Sequence, residues 1–226
     1  LIILCGGLGT RLGDLTQNTP KSMMLINGKP FLEIIIKQFI NTKISSVILA
    51  TGHLHDYIYS YFGDEYNGIQ IIYSKEEQKL GTGGAIKKAF ESNSIDHSFV
   101  INGDTYIDID EKIITELETN KPSILVKKIK SIDRYGALIL NKDNFVKNFL
   151  SASKVPNKES FINLGMYFLD KSFFSMTEEK AFSLESDYLP QYIKNNDIKA
   201  IITDTFFIDI GIPDDLITFT NMQRGI

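Results

Sequence analysis

The sequence predicts an α/β protein built on a single mixed, mainly parallel sheet flanked by helices. Three observations carry this. Apolar runs of strand length alternate with stretches of helical periodicity from Leu1 to Asn102, the pattern of strand–helix–strand crossovers and hence of parallel pairing. The opening run, LIILC at Leu1 to Cys5, is apolar at every position, as expected of a strand covered on both faces. Glycine or aspartate follows the first and fourth apolar runs, where open α/β sheets place their ligand loops.

The elements follow in order. After the glycine-rich segment Gly6 to Leu12, residues Leu32, Ile35, Ile36, Phe39 and Ile40 fall at helical spacing and predict a helix with Pro30 in its first turn. Ser46 to Ala50 is a second buried strand, His53 to Phe62 a helix, and Ile69 to Tyr73 a third strand. Thr82 can cap a helix carrying Ala85, Ile86, Ala89 and Phe90 on one face. Ser98 to Asn102 is the fourth strand and ends at Gly103-Asp104. Beyond it the pattern is less regular: SILVKK, ALILN and INLGMYFL read as strands, and Ser183 to Lys194 and Asp214 to Met222 as helices. No repeat, low-complexity tract or Pro/Ser-rich linker breaks the chain, which is read as one domain, 1–226.

Composition narrows the function. The 226 residues are 43% apolar and 23% charged, with Lys+Arg 24 against Asp+Glu 28 and a net charge of −4. A general nucleic-acid binder shows a basic excess, so no nucleic-acid partner is expected, and any phosphate contact must come from a few placed cations. No run approaches the roughly 18 apolar residues of a membrane span, so no membrane association is expected. Leu1 to Cys5 is too short for a signal peptide. One cysteine cannot form an internal disulfide, which makes a reducing, cytoplasmic location the expectation. The chain opens on Leu1 rather than Met, and native residues are expected before it.

The segment Gly6-Gly7-Leu8-Gly9-Thr10-Arg11-Leu12 is the most informative. Three glycines in four positions let the backbone turn sharply and aim N–H groups at an anion. A P-loop would end in Gly-Lys-Ser/Thr, and a dinucleotide fingerprint would place a third glycine at Leu12; neither fits. With Pro20-Lys21 the segment instead resembles the G-G-x-G-T-R-L…P-K signature of the sugar nucleotidyltransferases. The resemblance runs along most of the chain, through Asn27-Gly28-Lys29-Pro30, Leu80-Gly81-Thr82-Gly83-Gly84-Ala85, Asn102-Gly103-Asp104-Thr105, Arg134-Tyr135-Gly136, Asn163-Leu164-Gly165, Ser183-Leu184-Glu185 and Asp209-Ile210-Gly211-Ile212-Pro213.

The resemblance implies the Rossmann-like nucleotide-diphospho-sugar transferase fold and a reaction in which a nucleoside triphosphate and a sugar 1-phosphate give an NDP-sugar and pyrophosphate. Residues 1–110 would form mainly the nucleotide-binding half and 111–226 mainly the sugar-binding half. Arg11 and Lys21 are the implied catalytic cations, Arg11 on the leaving pyrophosphate and Lys21 on the α-phosphate or the incoming phosphate. Backbone at Leu4, Gly6 and Gly81, with Thr82, would seat the base, and Gly7, Gly9 and Thr10 would complete the nucleotide loop. Gly136, Lys154, Asn163 and Glu185 would hold the sugar phosphate. Asp104 and Asp209 would hold Mg²⁺, which takes one or two carboxylates plus phosphate oxygens. The chemistry is coherent with this set, because a sugar phosphate with a second pKa of about 6 is largely dianionic at neutral pH and needs no general base. Charge neutralisation and in-line alignment remain as the work.

Structural readings compete at several positions. Asp104 can cap the next element, Thr82 its helix, and Glu185 a helix start. Asp209 lies in FFIDIG, where an unpaired carboxylate would be costly to bury. Ser153 stands where the family has glutamate before Lys154, which removes a sugar-hydroxyl acceptor, and Leu164 replaces a small residue and reshapes the sugar pocket. Cys5 closes a buried strand and reads as packing. His53, His55 and His97 are not grouped as a zinc set. Asp108-Ile109-Asp110 resembles the D-x-D of glycosyltransferases that use nucleotide sugars, and a solvated helix start explains it equally well.

Within the family, Cys5 in LCGGLGTRL, the Lys21-Ser22 pair and the short chain look most like the D-glycero-D-manno-heptose 1-phosphate guanylyltransferases. That implies GTP and a heptose 1-phosphate as substrates and a product destined for surface polysaccharide or glycoprotein. Mannose-1-phosphate guanylyltransferases and glucose-1-phosphate cytidylyl- and thymidylyltransferases remain alternatives, as do two other classes: a glycosyltransferase, in which Arg11 and Lys21 would lack a purpose, and a non-catalytic NDP-sugar-binding relative. An apolar patch at a sheet edge would favour a homodimer.

Overall fold

The computed structural model describes residues 1–7, 18–40, 42–129, 136–150 and 160–224. In chain order the first strands are β1 (Ile2–Leu4), β2 (Leu25–Ile26), β3 (Lys29–Pro30), β4 (Ser46–Thr51), β5 (Glu65–Tyr66), β6 (Ile69–Lys75), β7 (His97–Asn102) and β8 (Thr105–Ile107). They are followed by β9 (Ser123–Ile129), β10 (Ala137–Leu140), β11 (Val146–Leu150), β12 (Ser160–Asp170), β13 (Lys199–Ile202) and β14 (Phe207–Asp209). The helices are α1 (Phe31–Lys37), α2 (His55–Phe62), α3 (Gly81–Asn93), α4 (Glu111–Leu117), α5 (Leu189–Tyr192) and α6 (Pro213–Met222). The α/β class is as expected, with mixed pairing and flanking helices. Among the described residues no helix is long and apolar enough to cross a membrane.

The chain gathers into two compact units that do not follow sequence order. The first is Leu1–Lys79, Ile101–Asp108 and Phe206–Ile226; the second is Leu80–Val100 and Ile109–Thr205.

In the first unit β1 pairs parallel with β4, Ile2 opposite Ile48 and Leu4 opposite Ala50, and β4 pairs parallel with β6. Ile2, Ile3, Val47 and Leu49 are wholly buried, which accounts for the unbroken apolar runs. Helix α1 contributes Phe31, Leu32, Ile35 and Ile36 to the same core, and Phe219 of α6 meets Phe31 edge-on at 5.5 Å. Pro30 precedes α1 rather than opening it, and the helix stops at Lys37, short of the Ile40 that its periodicity reached. From Gln38 the backbone tightens to i→i−3 bonds, and Thr42 binds the Phe39 carbonyl through its hydroxyl at 2.8 Å, closing the turn. A second, smaller ladder joins β8 and β14 antiparallel, with Asp209 opposite Thr105.

In the second unit the eleven-residue β12 is the organising strand. It pairs antiparallel with β10 through Ala137–Ile162 and with β9 through Ser160–Ile129 to Phe168–Ser123, and β13 pairs parallel with β9. The β12–β9 register shifts between Asn163 and Tyr167. Gly165 lies in that interval at φ +76°, a left-handed backbone that favours glycine, so the strand bulges there. Asp110 caps α4, its carboxylate accepting from Ile113 N at 2.7 Å, which gives the second carboxylate of Asp108-Ile109-Asp110 a structural task.

Candidate active site

The first unit assembles a compact charged cluster. Pro20 turns the chain into a single 3-10 turn, Lys21–Met23, whose residues are all buried. Lys21 projects its ammonium onto two carboxylates, 2.6 Å from Asp104 Oδ2 and 3.6 Å from Asp209 Oδ1. The two aspartates are brought together by the small ladder: Asp104 immediately precedes β8, Asp209 ends β14, and Ile210 N donates to the Asp104 carbonyl at 2.9 Å.

Close backbone approach fixes these positions. Gly103 N donates to the Leu4 carbonyl at 3.0 Å, and a side chain at 103 would run into that carbonyl, so Asp104 is held at the carboxyl end of β1. Gly211 N donates to Asp209 Oδ1 at 2.6 Å, and a Cβ at 211 would stand 2.7 Å from the same oxygen and 3.2 Å from Lys21 Nζ. Cys5 lies buried beside this cluster, and burial pushes its thiol well above the usual range, as the packing expectation requires.

Two converging carboxylates are a hard-oxygen donor set that fits Mg²⁺, which takes its remaining ligands from phosphate and water. Among the described residues no three His, Cys, Asp or Glu side chains gather as a metal set, so an ion here would depend on substrate oxygens.

The second unit carries a different arrangement, made of hydroxyls, an amide and one carboxylate. Gly81 opens α3 at φ +71°, where a Cβ would stand 2.5 Å from the Phe182 carbonyl. That carbonyl accepts from Gly83 N at 3.1 Å and Gly84 N at 3.3 Å, satisfying the first-turn donors of the helix. Thr82 therefore does not cap α3, contrary to expectation: the helix starts at Gly81, and Phe182 does the capping. The Thr82 hydroxyl accepts instead from Leu184 N and donates to Glu185 Oε2, both at 2.8 Å. Glu185 sits on a π-helical turn, Leu184–Tyr188, whose cap is Ser183 rather than Glu185. Such turns are rare and recur at functional sites.

Glu185 Oε1 accepts from Tyr167 at 3.1 Å, and the Tyr167 hydroxyl accepts from Asn163 Nδ2 at 2.5 Å. Asn163 Oδ1 accepts from Gly165 N at 2.8 Å. Gly136, exposed, lies one step beyond Ala137 in the register that pairs Ala137 with Ile162, and so faces the position of Asn163 in the ladder.

The structure thus brings Lys21, Asp104 and Asp209 together in one unit, and Gly81, Thr82, Gly136, Asn163 and Glu185 belong to the other. The expected base contacts at Gly81 and Thr82 share a unit with the expected sugar contacts rather than with Leu4, Gly6 and Gly7. Gly7 faces open space, whereas a Cβ at Gly6 would stand 3.0 Å from Glu76 Oε1. Gly9, Thr10, Arg11 and Lys154 lie outside the described residues. Tyr167 was not anticipated from the sequence; the glycine two residues before it in an otherwise apolar strand was the available signal.

The nucleotidyl transferase family pattern matches residues 1–224. The chain is 41% identical over 219 residues to a D-glycero-alpha-D-manno-heptose 1-phosphate guanylyltransferase of Campylobacter jejuni, covering 96% of this chain and 97% of the relative. It is 41% identical over 220 residues to an enzyme of the same name from Aneurinibacillus thermoaerophilus, covering 95% and 94%. Among solved structures, HddC from Yersinia pseudotuberculosis complexed with GMP-PN superposes with a TM-score of 0.85 at 33% identity, over 98% of each chain.

Proposed function

Because the chain belongs to the nucleotidyl transferase family and is a sugar-1-phosphate nucleotidyltransferase, we propose that it transfers the guanylyl group of GTP to D-glycero-α-D-manno-heptose 1-phosphate. The products on this reading are GDP-heptose, for surface polysaccharide assembly, and pyrophosphate, and we propose the cytoplasm as the site of the reaction. Identity of 41% over nearly the whole of two enzymes so named supports the substrate pair. The observation that carries the mechanism is the Lys21 ammonium lying 2.6 and 3.6 Å from two aspartates.

An oxygen of the sugar phosphate forms the new bond to the α-phosphorus, and the α–β bridging bond breaks with its electron pair leaving on pyrophosphate. No general base is needed, because the nucleophile arrives largely ionised. Lys21 comes from a buried turn and its ammonium is located by two carboxylates, so it presents charge to the α-phosphate without reorganising. Asp104 and Asp209 would hold Mg²⁺, which when bound offsets phosphate charge. Arg11 would act on the leaving pyrophosphate and Lys154 on the phosphate of the sugar. Leu4, Gly6, Gly7, Gly9 and Thr10 would receive the nucleotide, with Gly81 and Thr82 at the guanine, and Gly136, Asn163 and Glu185 would orient the sugar.

The test is pyrophosphate release with Mg²⁺ across GTP, CTP, UTP and dTTP against heptose, mannose and glucose 1-phosphates. Turnover confined to GTP and the heptose is expected. Turnover with another pair replaces the substrates and keeps the chemistry, and binding without turnover across all pairs overturns the reading.

A further inference from the structure

Tyr167 is only 1% exposed, yet its hydroxyl stands at the centre of the polar network of the second unit. Burying a hydroxyl is costly unless it is hydrogen-bonded, and this one is bonded on both sides, to Asn163 Nδ2 and to Glu185 Oε1. The directions of these bonds are determined. Gly165 N donates to Asn163 Oδ1, which fixes which end of the amide faces Tyr167, and the amide nitrogen can only donate. The tyrosine oxygen therefore accepts from Asn163, and its single proton goes to Glu185. The same logic holds on the other side: Thr82 accepts from Leu184 N, so its proton goes to Glu185 Oε2. Glu185 Oε1 thus receives the Tyr167 hydroxyl, and Oε2 receives Thr82 at 2.8 Å with Ser183 farther off at 3.4 Å. Burial first and the Glu185 charge second hold the Tyr167 phenol well above its ordinary range, so its proton stays in place at neutral pH.

We infer that Tyr167 is a positioning residue for sugar recognition: by accepting from Asn163 and donating to Glu185, it sets Asn163 to present a donor and Glu185 to present an acceptor. The ligand class that matches is a sugar with two neighbouring hydroxyls, one accepting from the second N–H of Asn163 and the other donating to Glu185. Asn163, Glu185 and Thr82 are partly exposed and can meet a ligand, whereas Tyr167 acts only through them. The inference rests on the reading that Asn163 and Glu185 hold the sugar 1-phosphate.

Tyr167→Phe keeps the ring in the core and removes the hydroxyl. The expected result is a KM for the sugar 1-phosphate raised about tenfold, with the KM for the nucleotide and kcat changed about twofold or less. In a Glu185→Gln background Tyr167→Phe should add little, because its effect passes through that carboxylate. An unchanged sugar KM in Tyr167→Phe, while Glu185→Gln raises it, overturns the positioning role alone. An unchanged sugar KM in Glu185→Gln overturns the assignment of the sugar site on which the role rests. A measurement on the wild-type enzyme stands even if Tyr167→Phe does not fold. Fluorine keeps a weak acceptor and loses the donor. Deoxyfluoro sugar 1-phosphates should therefore lose about tenfold in kcat/KM at one ring position and be tolerated at its neighbour; equal tolerance at every position overturns the inference.

Discussion

The charged cluster of the first unit and the polar network of the second solve positioning in opposite ways. Lys21, Asp104 and Asp209 interact through charge, which depends weakly on direction, so their placement falls to the backbone: a glycine against the Leu4 carbonyl and another against the Asp209 carboxylate. Thr82, Glu185, Tyr167 and Asn163 interact through hydrogen bonds whose donor and acceptor ends are ordered, so placement falls to the side chains themselves. The first kind of site suits a step common to many substrates, stabilising phosphate charge. The second suits discrimination, because a hydroxyl lost or reversed leaves a polar group unpaired.

This contrast can be broken most sharply at Lys21. Lys21→Ala should lower kcat about a thousandfold while circular dichroism stays that of the wild type, since it removes the fixed cation and leaves two carboxylates facing each other; near-normal turnover would end the proposed role. Asp104→Asn should cost about a hundredfold in kcat and raise the Mg²⁺ concentration for half-maximal rate, read in a magnesium titration. A loss that Mg²⁺ concentration does not touch would assign Asp104 to holding Lys21 alone.

Gly103→Ala sharpens the claim about backbone. It should lower stability by about 1–3 kcal/mol in denaturant melts and kcat about tenfold, because the new methyl meets the Leu4 carbonyl and shifts Asp104. A variant with unchanged stability and rate would show that the approach tolerates a side chain. On the network side Thr82→Val should be milder, about a fewfold in the KM of the sugar 1-phosphate and of GTP, since it removes the nearer hydroxyl from Glu185 Oε2 and leaves Leu184 N without its acceptor. The smallest effect is expected at Cys5. Burial raises its thiol pKa, so almost no thiolate forms near pH 8, and the native protein should resist iodoacetamide with no loss of rate.

The charged cluster was largely legible in the sequence. Glycines within two residues of a carboxylate, as in Asn102-Gly103-Asp104 and Asp209-Ile210-Gly211, announce that something approaches closely, and a carboxylate in FFIDIG needs a partner. The partner's route was not legible: β8 and β14 have three residues each, too few for an alternating pattern to register, and it is their pairing that brings Asp209 to Asp104. In the network, Asn163 and Glu185 were found by resemblance, but Tyr167 was hidden. Within INLGMYFL an aromatic residue reads as core, and its ring is indeed core. Only its hydroxyl carries the role proposed for it, and it meets Glu185 where Gly165 bulges the strand and a π-turn presents the carboxylate. Both are departures from regular periodicity, which periodicity cannot forecast.

The interleaved path of the chain has a consequence for how the enzyme comes into being. The first unit takes its opening segment from the start of the chain, a short piece from the middle and its last piece from Phe206 onward. During synthesis Lys21 leaves the ribosome before Asp104, and Asp209 emerges only after the whole of the second unit has been made. The nascent chain therefore carries an incomplete charge cluster while the second unit is being made and gains the last carboxylate only after it. A product released from a ribosome stalled before Asp209 would lack that carboxylate and the Gly211 contact beside it, so the charged cluster is completed only once translation has passed the second unit.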